Sequence, residues 1–348
     1  MKFVQTVNGN IAPEDMGFTL PHEHIFWDLS YYLPDDVKNA PPSDYRKQPI
    51  STENRDDLQY HLWEYSDNVV QQDEAVALRE LLWYKKAGGG TICDNSSYGL
   101  KGNPAALRRV SQKSGVNILL GTGAYFEKTL PDFIKPMDKY ALAELMVQDI
   151  KDGICGTDIK CGFIGEIGLE SQLPEASYRA LAAAAIAQKK TGAAILIHQP
   201  GTERVAEKIF KILTDHGGDL NRTVMCHCDP HIPDHDYIDF IGKSGAYISF
   251  DFFGLEAMLS ETFWLPSDRD RIFAILDQIS RGNLNRLLVS HDVAYKYMLR
   301  QYGGHGYSHI PKNMIPVMLA NGFKKEWVDA ITKTNPQRLF ALDTEILK

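Results

Sequence analysis

Eight short apolar runs alternate with amphipathic stretches along this chain, and five of the runs carry His22, His24, Glu166, His198, His227 and Asp292 at or near their ends. The runs are residues 17–24, 91–94, 117–123, 161–166, 193–198, 223–227, 245–251 and 286–292. Between them, residues 73–86, 107–114, 140–151, 175–191, 202–216, 237–243 and 268–281 carry helical patterns. Strand–helix alternation repeated at this spacing predicts an α/β fold, a (β/α)8 TIM barrel closed by parallel strands. At 348 residues the chain exceeds the ~250 typical of such barrels. A long polar segment rich in Pro, Asp and Tyr, residues 29–67, takes up the excess as a loop after strand one. No Pro/Gly/Ser-rich linker divides the chain, so residues 1–348 read as a single domain. The rival fold is a doubly wound open sheet, but no glycine-rich phosphate loop follows the first strand.

Closure of the sheet decides what the strand ends can do. In a parallel barrel all C-terminal strand ends converge on one face, whereas an open sheet spreads them out. His22, His24, Glu166, His198, His227 and Asp292 stand at or near such ends on five separate strands. Four imidazoles and two carboxylates in one small volume make a site for one or two divalent metals. His22-Glu-His24 has strand period two, which turns both imidazoles to one face and Glu23 to the other. A histidine after an apolar strand is by itself more often a hydrogen-bonded core residue; His198 and His227 on consecutive strands, added to His22 and His24, turn the balance toward ligands. The same period predicts that Cys226 and Cys228, flanking His227, both face the helices. Asp292 closes the last strand, where a buried carboxylate is costly unless paired or bound to a cation. The alternative for Asp292 is an N-cap, and for Glu166 a salt bridge toward the helices.

Composition narrows the partners. A hydrophobic fraction of 44% and a charged fraction of 24% suit an ordinary protein with a sizeable core. The net charge of −8, with no basic cluster, disfavours nonspecific binding to nucleic acid or to an anionic membrane. The N-terminus lacks a secretory h-region, and no apolar run is long enough to span a bilayer. Five cysteines without framework spacing suggest free thiols and a cytoplasmic location. The expected partner is a small-molecule substrate, with a homodimer admitted as an assembly state.

Several of these stretches together resemble the phosphotriesterase family of the amidohydrolase superfamily, over roughly residues 4–340. They are Gly17-Phe-Thr-Leu-Pro-His-Glu-His24, Cys161-Gly-Phe-Ile-Gly-Glu-Ile-Gly168, His198, His227, Ser290-His-Asp292 and Asn335-Pro336. Tyr302-Gly-Gly-His-Gly-Tyr-Ser-His-Ile310 is most similar to the phosphotriesterase-related protein branch, some of whose members are N-acyltaurine hydrolases. The resemblance implies a barrel with two metals bridged by a protein carboxylate: zinc, with manganese or cobalt as alternatives. It assigns His22, His24 and Asp292 to one metal and His198 and His227 to the other. Where the best-known members carry a carboxylated lysine as the bridge, Gly165 stands here. Glu166, one residue on, is the nearest suitable group, as in a glutamate-bridged subfamily. Period two would turn Glu166 outward, so the strand must bulge or end at Gly165.

Taken with that resemblance, these residues imply a binuclear hydrolase that uses metal-activated water to cleave an ester, lactone or amide bond of a small anionic compound. Asp292 is its proton acceptor and shuttle. Substrate contacts are expected from Tyr125, Lys296, His305 and Tyr307, with Gln199, Asp251 and Phe252 as further loop candidates and Lys296 or Arg300 holding an anionic tail. The alternatives are an N-acyltaurine or N-acyl amino acid amidase of the same family, a mononuclear amidohydrolase or deaminase, and a noncatalytic small-molecule binding barrel.

Overall fold

The computed structural model describes residues 1–345. Eight strands form one parallel sheet: β1 (Phe18–Glu23), β2 (Gly89–Asp94), β3 (Asn117–Thr122), β4 (Phe163–Gly168), β5 (Ile195–His198), β6 (Thr223–Cys226), β7 (Tyr247–Phe250) and β8 (Leu287–Val289). They pair in sequence order from β1 to β8, as a barrel requires and a doubly wound sheet forbids. Seven helices cover the outside: α1 (Glu74–Lys86), α2 (Pro104–Ser114), α3 (Lys139–Lys151), α4 (Glu175–Thr191), α5 (Ala206–Asp215), α6 (His235–Lys243) and α7 (Asp268–Ser280). The last outer layer is broken into short pieces between Ile310 and Phe340 by two π-turns.

Helix starts follow local chemistry. Asp73, Asn103, Asp138 and Asp234 each accept hydrogen bonds from the first-turn amides of α1, α2, α3 and α6, and Ser267 with Asp270 forms a capping box on α7. In α4 the buried alanines 180, 182–185 and 187 let the helix lie close against the sheet.

Inside the barrel, Cys93, Leu119, Phe163, Leu196, Val224, Cys226, Tyr247 and Leu288 fill the space below the strand ends, and Val4, Leu339 and Phe340 join them from the two ends of the chain. A small antiparallel sheet of Lys2–Thr6, Gly9–Ile11 and Leu342–Asp343 stands apart from the barrel sheet. The filled interior and closed base leave the C-terminal face for chemistry.

The seam between β8 and β1 is made largely by side chains. Glu23, fully buried, accepts from the Ser290 hydroxyl (2.8 Å), the His291 amide (2.9 Å) and the Val293 amide (3.0 Å), and its Oε1 lies 2.7 Å from His291 Nδ1. The His22 amide donates to Ser290 Oγ at 3.1 Å, and the Asp292 amide to the His22 carbonyl at 3.2 Å. Glu23 therefore faces a neighbouring strand, where strand periodicity alone turns it to the helices.

Residues 29–67 form a long loop, as its polarity predicts, with only short helical turns such as Asp35–Asn39. Its aromatic residues fold back over the barrel mouth.

Candidate metal centre

Each of the six residues singled out from the sequence reaches the same volume at the C-terminal face. His22 lies at the end of β1 and His24 just beyond it. Glu166 lies in β4, His198 ends β5, His227 follows β6 directly, and Asp292 follows β8 by three residues.

Glu166 faces inward because β4 is irregular. Its pairing with β5 shifts register between Ile164 and Ile167. Gly165 has φ +144°, and a Cβ there would lie 2.8 Å from the Leu196 carbonyl oxygen. Only glycine fits that backbone and that approach. The strand is thus irregular at Gly165, where the sequence pattern called for a bulge or an early end.

His227 and Asp292 have φ of +57° and +50°. For residues with a Cβ such backbones cost of order 1–3 kcal/mol and persist only when the surroundings hold them. Here Asp251 Oδ1 accepts from the His227 amide at 2.8 Å, and the His22 carbonyl accepts from that of Asp292. The left-handed turn at His227 breaks the two-residue alternation. That corrects the expectation for the cysteines: Cys228 packs outside with the helices, but Cys226 is in the barrel interior, its sulfur within 4.8 Å of donor atoms of His22 and Asp251.

The donors converge on Glu166. Its Oε1 lies 2.8 Å from His198 Nδ1, 3.2 Å from His227 Nε2 and 3.4 Å from His22 Nε2, and its Oε2 lies 3.9 Å from His24 Nε2. Asp292 Oδ1 lies 3.1 Å from His24 Nε2 and 3.5 Å from His22 Nε2. The facing nitrogens of His198 and His227 are 2.9 Å apart. Burial alone would push the Glu166 carboxyl up, but the imidazoles of His198 and His22 hold it well below the usual carboxylate range. Asp292, partly buried, is likewise lowered, chiefly by its contact with His24.

These residues fit cations. Nε2 of His22 and Oδ1 of Asp292 are buried without a hydrogen-bond partner among the described residues. A buried polar atom left unpaired costs about 1–3 kcal/mol, and cations among these donors would satisfy them. Two ligand groupings meet here, His22–His24–Asp292 and His22–Glu166–His227, with His198 against the second.

Asp251, expected only as a loop contact, instead grips two of the candidate ligands, His22 and His227, from behind. Its two oxygens lie 2.9 Å from His227 Nδ1 and 3.2 Å from His22 Nδ1, fixing both rings with Nε2 toward the centre. Asp229 accepts from the Asp251 amide and pairs at 2.6 Å with Arg271, both fully buried. His24 is held through Nδ1 by Ser96 at 3.0 Å. The signal for Asp251 was its place at the end of strand seven, where five other strands carry a histidine or carboxylate.

Of the four substrate-contact candidates, only Tyr125 lines the cavity above this cluster. Lys296 is instead paired with Asp67, because the long loop brings that carboxylate to it. His305 stands in a neighbouring polar cavity and stacks on His309 at 4.0 Å. Tyr307 is buried, its hydroxyl donating to the His24 carbonyl at 2.6 Å, so it supports the end of strand one. Arg300 lies over the Trp83 ring at 4.6 Å. Gln199 lines the cavity but donates its amide to the Cys226 and His227 carbonyls, and Phe252 stacks on the His227 ring at 4.6 Å. Tyr32 and Trp63, which the sequence reading did not single out, also line it. The sign of them was the density of aromatic residues in an otherwise polar segment.

A closed parallel barrel with four imidazoles and paired carboxylates at its strand ends defines a metal-dependent hydrolase. The chain belongs to the phosphotriesterase family, whose family model matches residues 2–340. It is 35% identical over 343 residues to the N-acetyltaurine hydrolase of Danio rerio, covering 96% of this chain and 97% of the relative. It is 36% identical over 340 residues to a phosphotriesterase-related protein of Nematostella vectensis, at the same coverage of 96% and 97%. Among solved structures, a resiniferatoxin-binding protein from Rhodobacter sphaeroides superposes with a TM-score of 0.93 at 31% identity, over 99% of this chain and 96% of that one. No helix among the described residues is long and apolar enough to cross a membrane.

Proposed function

We propose that this chain is a binuclear zinc hydrolase that cleaves an ester, lactone or amide bond of a small molecule. His22, His24 and Asp292 would hold one ion, His198 and His227 the other, and Glu166 would bridge them. The observation that carries this reading is the position of Glu166, within hydrogen-bonding or near-contact range of all four imidazoles. When bound, such ions polarise the scissile carbonyl or phosphoryl oxygen and lower the pKa of water to about 7.

The chain's own groups do the rest. Asp292, ionised and with Oδ1 unpaired, accepts the proton of the attacking water and passes it to the leaving group. Asp251 holds the His22 and His227 rings, so the donor set is oriented before substrate arrives. Tyr125 and Phe126, edge-on to His198 at 5.3 and 5.5 Å, shield that side from bulk water. Amide cleavage has support from the Danio rerio relative, an N-acetyltaurine hydrolase. All five cysteines are free, which supports a cytoplasmic location.

The grouping His22–His24–Asp292 by itself favours a second reading, a mononuclear hydrolase. Metal analysis of the purified chain separates the two: the proposal expects two ions per chain, and Glu166→Gln is expected to lose one or both while the barrel still folds. One ion per wild-type chain, or full metal content and activity in Glu166→Gln, overturns the bridge.

A further inference from the structure

Above the ligand cluster lies a cavity of about 160 Å³. Its walls away from the ligands include Tyr32, Trp63, Phe252, Tyr295, Leu259 and Leu265. The Tyr32 and Trp63 rings stack at 5.6 Å with 24° between planes, and the Trp63 indole N–H is spent on the Tyr295 hydroxyl at 2.8 Å. The hydroxyls of Tyr32 and Tyr125 meet at 3.4 Å. Among the described residues, no lysine or arginine lines it. Lys296 is engaged with Asp67, and Lys128, which reaches the same aromatic cluster, is exposed with its ammonium 5.0 Å from the Tyr31 ring centre.

A sulfonate or carboxylate tail pressed into this cavity would lose its water and find aromatic faces and leucines in place of a cation. Burying an unpaired charge is far more costly than burying an unpaired neutral group. Apolar surface gains instead, at roughly 0.8 kcal/mol, or about fourfold in affinity, for each methylene removed from water. The tyrosine hydroxyls supply neutral hydrogen bonds.

We propose that the site takes an uncharged substrate whose non-reacting part is apolar and lies against Tyr32, Trp63, Phe252 and Leu265, with the Tyr32 and Tyr125 hydroxyls meeting a neutral polar group. This rests on the hydrolase reading above and names its substrate class. It separates the chain from relatives named for N-acetyltaurine, whose far end is a sulfonate.

The test compares two ligands of the same shape, N-acetyltaurine and its neutral isostere N-(3,3-dimethylbutyl)acetamide, by calorimetric titration of the metal-loaded full-length protein. The isostere is expected to bind at least tenfold more tightly. Trp63→Ala should weaken it about tenfold without changing metal content, and Lys128→Met should leave the ranking unchanged. Equal or tighter binding of N-acetyltaurine, no binding of either, or a ranking that depends on Lys128 would overturn the proposal. Tighter binding of the isostere by a protein that turns over no ester, lactone or amide would support this inference and overturn the hydrolase reading instead.

Discussion

Asp292 is held in a left-handed backbone with one carboxylate oxygen 3.1 Å from His24 and no hydrogen bond on it, an arrangement suited to moving a proton rather than to holding the fold. Asp292→Asn keeps an oxygen for the metal but removes the base, so kcat is expected to fall by about 10²–10⁴-fold with most of the metal retained. Turnover near wild type would assign the proton elsewhere. Asp251 acts through the rings it holds. In Asp251→Asn the amide oxygen faces only one of His22 and His227, and metal affinity is expected to drop by about 10–100-fold, read by titration with a chelator. The two residues were not equally legible in the sequence. Asp292 stood out because a carboxylate after Leu-Leu-Val needs a partner. Asp251 has the same signature after Tyr-Ile-Ser-Phe, but its target is a ring nitrogen 24 residues back along the chain, and sequence spacing carries no sign of that contact.

At the scale of elements, the eight strands and seven outer helices were legible because apolar runs and helical periodicity switch cleanly along the chain. What periodicity could not supply was the behaviour of strand ends. Period two misplaced Cys226, because His227 turns left-handed directly after the strand, and the charge of Lys296 gave no hint that Asp67 claims it. The seam between β8 and β1 was also hidden, since one carboxylate does much of the work of a hydrogen-bond ladder. Glu23→Gln replaces acceptor oxygen with an N–H that faces other donors. It is expected to cost about 1–3 kcal/mol, read as a lowered thermal midpoint, with weakened metal retention as Asp292 loses its register to His22 and His24. An unchanged melt and full metal content would mean that the backbone bonds hold the seam alone.

For the whole molecule, the buried carboxyl of Asp149 in α3 makes stability depend on pH. Burial pushes it up to about 6, although the Thr122 and Tyr98 hydroxyls donate to it. A carboxyl whose pKa is raised on folding favours the fold while it is protonated. Its contribution is whole below pH ~4 and is lost as the pH rises through about 6. Asp149→Asn is therefore expected to raise stability at pH 8 by about 2–3 kcal/mol and to change little at pH 3.5. A melt at pH 8 no higher than wild type would show that Asp149 ionises without cost. The barrel seam has a consequence in time. A ribosome delivers His22 and His24 long before Ser290 and Asp292. Until Ser290 and the residues after it dock against Glu23, the nascent chain has neither a closed barrel nor the Asp292 carboxylate beside His24. The full donor set thus needs strands from both ends of the barrel sheet, and a chain truncated before residue 290 lacks the Asp292 carboxylate however well its earlier strands have formed.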